Sequence, residues 1–138
     1  MVDMNDQHLR QFSLGKVRGE EEQKALMAAE LLQTLVRSRR FHLDELLEGD
    51  GPYWISIGLY INEERGVETR LDQIVELADE SIEASRHILR LLIDHGVVQA
   101  YITGGGEAAY RLAPRFSASF GRYLLEQFGH MQFYCARA

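Results

Sequence analysis

Cysteine is almost missing from this 138-residue chain, and its single thiol, Cys135, cannot close an internal disulfide. A reducing cytoplasm is the expected setting. Proline occurs twice, at Pro52 and Pro114, and each can occupy the first position of a helix. No apolar run approaches the roughly 20 residues needed to span a bilayer, and no basic segment followed by an apolar stretch opens the chain. No membrane partner is expected. Positive charge is scarce as well: 15 Lys and Arg against 21 Asp and Glu leave a formal charge of −6. That balance argues against a protein generally coated by nucleic acid, although a local patch such as Arg37, Arg39 and Arg40 can oppose the net sign. Apolar residues, by contrast, make up 46% of the chain, enough at this length to bury the core of one domain.

Residues 1–19 carry only scattered apolar positions and read as a flexible tail, since little burial is on offer to offset ordering. From Glu20 the pattern becomes helical. Ala25, Ala28, Ala29, Leu32, Leu35 and Val36 recur behind the acidic turn Glu20 to Glu22, which suits a positive helix N-terminus, and predict a helix to about Ser38. Phe41, Leu43, Leu46 and Leu47 add a short helical turn, so residues 20–48 form the N-terminal helices. A helix from about Pro52 to Arg65, apolar on most sides, reads as central. Gly66 ends it. Thr69 stands three residues before Asp72 in a capping-box-like spacing that opens a short helix with Leu71, Ile74, Val75 and Ala78 inward. After the turn Asp79 to Ser81 comes a helix to about His95, capped by Gly96. Val97 to Ile102 and Ala108 to Leu112 are β-prone arms around a loose glycine tip, Gly104 to Gly106. Pro114 opens a last helix over 114–130.

The order helix, turn, helix, hairpin over residues 71–112 gives the fold class: mainly α with a small β-hairpin wing, a winged helix-turn-helix with flanking N- and C-terminal helices. Leu71, Ile74 and Ala78, then Ile88, Leu92 and Gly96-Val97-Val98, and finally Tyr110-Arg111-Leu112 stand where this motif has its defining positions. On these residues the chain resembles the MarR-like winged-helix regulators of bacteria, over roughly residues 52–114. The resemblance implies a dimeric transcriptional regulator that binds a pseudo-palindromic double-stranded operator, with helix 81–95 in the major groove and no cofactor. It assigns DNA contacts to Ser81, Glu83, Ala84, Arg86, His87, Arg90, Thr103 and Arg111. Arg86 and Arg90 carry base reading, because a guanidinium can donate two bonds to guanine. Glu83 either accepts from cytosine or pairs with Arg86 or His87 one turn away. Ser81, Thr103 and Arg111 reach phosphates, with Ser81 equally suited to a plain helix cap. The wing tip from Thr103 to Glu107 lacks the Asp and Arg usual in such wings, so at most a backbone contact is expected there. The whole 71–112 stretch holds three arginines, no lysine and seven acidic residues.

The stripe Phe116, Phe120, Tyr123, Leu124 and Phe128 on the last helix is more than a small core readily absorbs. A dimer interface shared with Leu32 and Leu35 is expected. Trp54, Tyr60 and that stripe either line a pocket for a small-molecule effector of unknown class or, as apolar residues more often do, form core. Enzymatic readings find no support. The triple glycine lies between two strands and lacks the helix N-terminus of a phosphate-binding loop. His42, His87, His95 and His130 show no metal-ligand spacing, and Cys135 has no recognisable His or Asn companion. The alternative is a winged helix that has become a protein-interaction module without DNA binding, which the net charge favours.

Overall fold

In the computed structural model, which describes residues 19–137, the glutamates at 20–22 open helix α1 (Glu20–His42). The tail expected over 1–19 lies, apart from Gly19, outside the described residues. Glu22 caps the helix by accepting from the Gly19 amide at 3.0 Å. At the other end α1 outruns the expected stop at Ser38, because Arg39, Arg40 and His42 fill the last turn, where the negative end of the helix dipole favours cations. A single 3₁₀ turn, Glu45–Glu48, follows, with Asp44 accepting from the Leu46 amide and Leu47 fully buried. Two arginines of the patch, Arg39 and Arg40, are engaged locally. Arg39 lies 4.2 Å over the Tyr53 ring and 3.8 Å from Asp50, and Arg40 lies 3.9 Å from Glu48.

Helix α2 (Asp50–Glu64) buries Ile55, Ser56, Gly58 and Leu59 and packs against helices α3 (Leu71–Ala78) and α4 (Ile82–Asp94). It is the central helix that its all-round apolar sequence predicts. Gly58 makes this packing possible, because a Cβ there would lie 2.4–2.9 Å from three atoms of the Leu77 side chain. The gain in helix propensity from Gly to Ala is at most about 1 kcal/mol, whereas overpacking costs about 1–3 kcal/mol. Gly58→Ala should therefore destabilise the fold, by up to about 2 kcal/mol in urea unfolding. Unchanged or raised stability would mean that Leu77 yields freely.

Strands β1 (Val98–Ile102) and β2 (Ala108–Leu112) pair antiparallel, with Val98 opposite Leu112 and Ile102 opposite Ala108. Helix α5 (Pro114–Arg137) continues past the expected end near residue 130. One glycine inside a helix costs only about 1 kcal/mol, so Gly129 does not stop it, and the Tyr134 hydroxyl, 3.3 Å from Thr34, ties the extension to α1. Further along the same seam, Ser38 donates to Glu126 at 3.1 Å and accepts from Gln127 at 2.8 Å.

Phe120 is the hub of the core, with no exposed surface. It stacks on Phe116 and Tyr123 and meets Tyr53 and Tyr60 edge-on, all with centroids between 5.3 and 6.4 Å. Tyr53 and Tyr123 share a 2.8 Å hydrogen bond. Burial, and then that bond, raise the Tyr123 phenol above its ordinary pKa. Two of the expected interface residues are thus corrected: Phe120 and Tyr123 are buried in the chain's own core, and no second copy can reach them. Phe116 and Leu124 pack half-buried on the same cluster. Leu35 is also half-buried, whereas Leu32 and Phe128 stay exposed at 62% and 55%.

Candidate nucleic-acid interface

The turn between α3 and α4 needs one residue in the left-handed region, and Asp79 takes it with φ 56°, a conformation that Asp tolerates better than most side chains. Ser81 then caps α4, its hydroxyl accepting from the Ala84 amide at 3.1 Å. With Ser85, Leu89 and Leu92 buried, the helix presents Glu83, Arg86, His87 and Arg90 to solvent. Ala84 is half-buried at the edge of that stripe. Among the described residues no ion pair joins Glu83 to Arg86 or His87, and neither Arg86 nor Arg90 has a carboxylate partner. The pairing of Glu83 one turn along is therefore not the arrangement found. Arg86 and Arg90 line a groove of about 550 Å³ between α4 and the wing, opposite Ala100 and Tyr110.

The remaining two expected contacts do not join this pair. Thr103 is buried, and it closes the wing turn: its amide donates to the Glu107 carbonyl at 2.8 Å and its hydroxyl accepts from the Glu107 amide at 3.3 Å. The tip is thereby hydrogen-bonded, not loose, with Gly106 supplying the positive φ of 84°. Arg111 sits opposite Gln99 in the ladder, and the pleat turns that pair away from the face of Ala100 and Tyr110. There Arg111 lies 4.7 Å over the Tyr101 ring and donates to Gln99 at 3.4 Å. Near it, desolvation raises the Glu63 carboxyl above its ordinary pKa while Arg111 pulls it down.

The expected capping role of Thr69 is also revised. Arg70 is the N-cap of α3, and the Gln73 side chain accepts from its amide at 2.9 Å. Thr69 is buried instead, accepting from Asn62 at 2.8 Å through its hydroxyl and from the Tyr110 amide at 2.9 Å through its carbonyl. That single bridge adds a third backbone segment to the wing. It carries Arg70 toward the wing tip, where its guanidinium bonds both Glu68, at 3.2 Å, and Glu107. Those two carboxylates, Glu68 first, raise the Arg70 pKa. This arginine was not among the sequence candidates, because 37 residues separate it from Glu107 and only the β-bridge register brings them together.

The expected effector pocket is not assembled from its predicted walls. An open groove of about 650 Å³ is lined by Tyr60, Glu63, Glu64, Ser117, Gly121 and Leu125 among others, whereas Phe120 and Tyr123 of the stripe are buried in the core and Phe128 and Trp54 are exposed. Among the described residues no helix is long and apolar enough to cross a membrane.

No protein-family model and no curated protein matches the chain by sequence. Solved structures do match its shape. It is similar to MepR, a transcription regulator of the Staphylococcus aureus multidrug efflux pump MepA, at 10% identity over 88% of this chain and 85% of that one, with a TM-score of 0.64. A mutant MepR bound to an oligodeoxyribonucleotide gives 10% identity, 88% and 86% coverage and a TM-score of 0.67. The heme sensor protein PefR from Streptococcus agalactiae, in complex with heme, gives 12% identity, 83% and 80% coverage and a TM-score of 0.50. The fold is accordingly the winged helix-turn-helix with flanking helices that the resemblance to MarR-like regulators implies.

Proposed function

We propose that this chain is a cytoplasmic, DNA-binding transcriptional regulator that works as a homodimer, with α4 of each copy in a major groove of the operator. The observation that carries the reading is the pair Arg86 and Arg90, solvent-facing on the second helix of a helix-turn-helix and, among the described residues, without a carboxylate partner. An exposed guanidinium that no described carboxylate holds is available for the two acceptors of guanine. Ser81, Glu83, Ala84 and His87 border the same surface, while Thr103 and Arg111 are set aside as contacts. Each arginine is assigned about 1–3 kcal/mol of base discrimination. Duplexes selected from a randomised pool by the wild-type protein should therefore lose about 5- to 150-fold in affinity on Arg86→Ala or Arg90→Ala, and base preference at the contacted positions should relax. Equal loss on every sequence would make these arginines phosphate contacts only. No catalytic step and no named effector enter this reading.

The dimer is supported by helix α1. Of its 23 residues only Ser38 is buried, and a helix gains most of its stability from packing an apolar face. Leu26, Leu32 and Val36 on α1, and Leu125, Phe128 and Phe133 on α5, remain exposed. A second copy is the occupant proposed for this surface.

One observation favours a protein-binding module instead: the seven acidic residues in 71–112, one of which, Glu107, holds Arg70. That reading requires α4 to meet a protein surface, and it requires the chain to ignore DNA even at low salt.

A further inference from the structure

Building on the DNA-binding reading, we infer that Arg70 is a phosphate-binding residue of the interface, held in a carboxylate clasp by Glu68 and Glu107, and that Glu107 thereby sets DNA affinity. Three observations lead there. The wing tip itself, Thr103 to Glu107, holds no cation, so it has no charged phosphate donor of its own. Arg70 fills that place from another element: it is the N-cap of α3, the first helix of the motif, which crosses the DNA backbone in such complexes. The Thr69–Tyr110 bridge holds its backbone beside β2, and its side chain reaches the tip at Glu107.

The clasp is also of the kind that a phosphate can open. All three side chains are substantially exposed, and an exposed ion pair contributes at most about 1 kcal/mol and weakens with salt. Arginine matches the oxygens of a phosphate as well as those of a carboxylate, and can exchange one for the other without moving its backbone. As it stands, Glu68, Arg70 and Glu107 sum to one negative charge, which repels the duplex. Contact requires Arg70 to leave Glu107 and the Glu107 carboxylate to remain solvated near the backbone. Wild-type binding is therefore weaker and less salt-dependent than a free Arg70 would allow.

The test compares the wild-type protein, Glu107→Gln and the double variant Arg70→Gln/Glu107→Gln by fluorescence anisotropy on one genomic duplex from about 50 to 200 mM salt. Glu107→Gln should bind several-fold more tightly at the low end. Its slope of log affinity against log salt should steepen by about 0.9, the contribution of one added phosphate contact, so that the advantage shrinks about threefold across the range. The double variant should lose that added slope. A gain that persists in the double variant would mean that Glu107 merely repels DNA, and would overturn the clasp. Unchanged binding by Glu107→Gln, with wild-type binding still dependent on Arg86, would overturn the clasp and leave the regulator reading intact. Absence of binding by both proteins at low salt would overturn both.

Discussion

Phe120→Ala is expected to lower the unfolding free energy by about 3–5 kcal/mol, the largest stability loss of any single truncation considered. Phe120 has no exposed surface and contacts four aromatic rings from α2 and α5. Its removal leaves a cavity that the surrounding structure can fill only in part. With a total stability of about 5–15 kcal/mol for an ordinary domain, such a loss puts the variant near the edge of folding. Circular dichroism melting at fixed protein concentration should show the midpoint about 10–20 °C lower. A fall of only a degree or two would mean that the α2–α5 aromatic cluster does not hold the fold together.

Breaking the proposed dimer should have the largest effect on function. Leu32 and Phe128 are exposed apolar residues on the two flanking helices, and a glutamate at each position would place charge in a surface that has to lose its water. The variant Leu32→Glu/Phe128→Glu should elute as a monomer in size-exclusion chromatography with light scattering. Its operator affinity should fall about 100-fold or more, since two half-sites joined on one duplex gain that much from effective concentration. Neither position is buried within the chain, so the helical content should survive. A wild-type protein already monomeric at micromolar concentration would contradict the interface, and so would a variant that stays dimeric.

Local periodicity made most of the fold legible. The 3.6-residue spacing of Leu71, Ile74 and Ala78 marked the inward face of α3, and the stripe Ile82, Ser85, Ile88, Leu89, Leu92 and Ile93 marked that of α4 except at Ile82, which stays 48% exposed in the first turn. Gly66 and Gly96 marked helix ends because both take positive φ, at 71° and 76°. What stayed hidden depended on long-range pairing. Phe120 and Phe128 share one helical stripe, and nothing in the spacing says that α2 covers the first and leaves the second bare. Thr69 fits a helix cap by sequence, but tertiary pairing with Tyr110 draws it into the wing, and the cap passes to Arg70 and Gln73. Thr103 likewise reads as a free hydroxyl, until the turn closes over it. The exposure of Arg86 and Arg90 was recoverable because a solvent-facing stripe on a single helix is a local property.

The most direct test of the central claim is fluorescence anisotropy of the wild-type protein with mixed genomic duplex at about 50 and about 200 mM salt. The regulator account predicts binding at the lower salt that weakens about tenfold or more at the higher, and that drops further in Arg86→Ala/Arg90→Ala. No binding at about 50 mM salt would contradict it and leave the acidic winged helix as a surface for another protein.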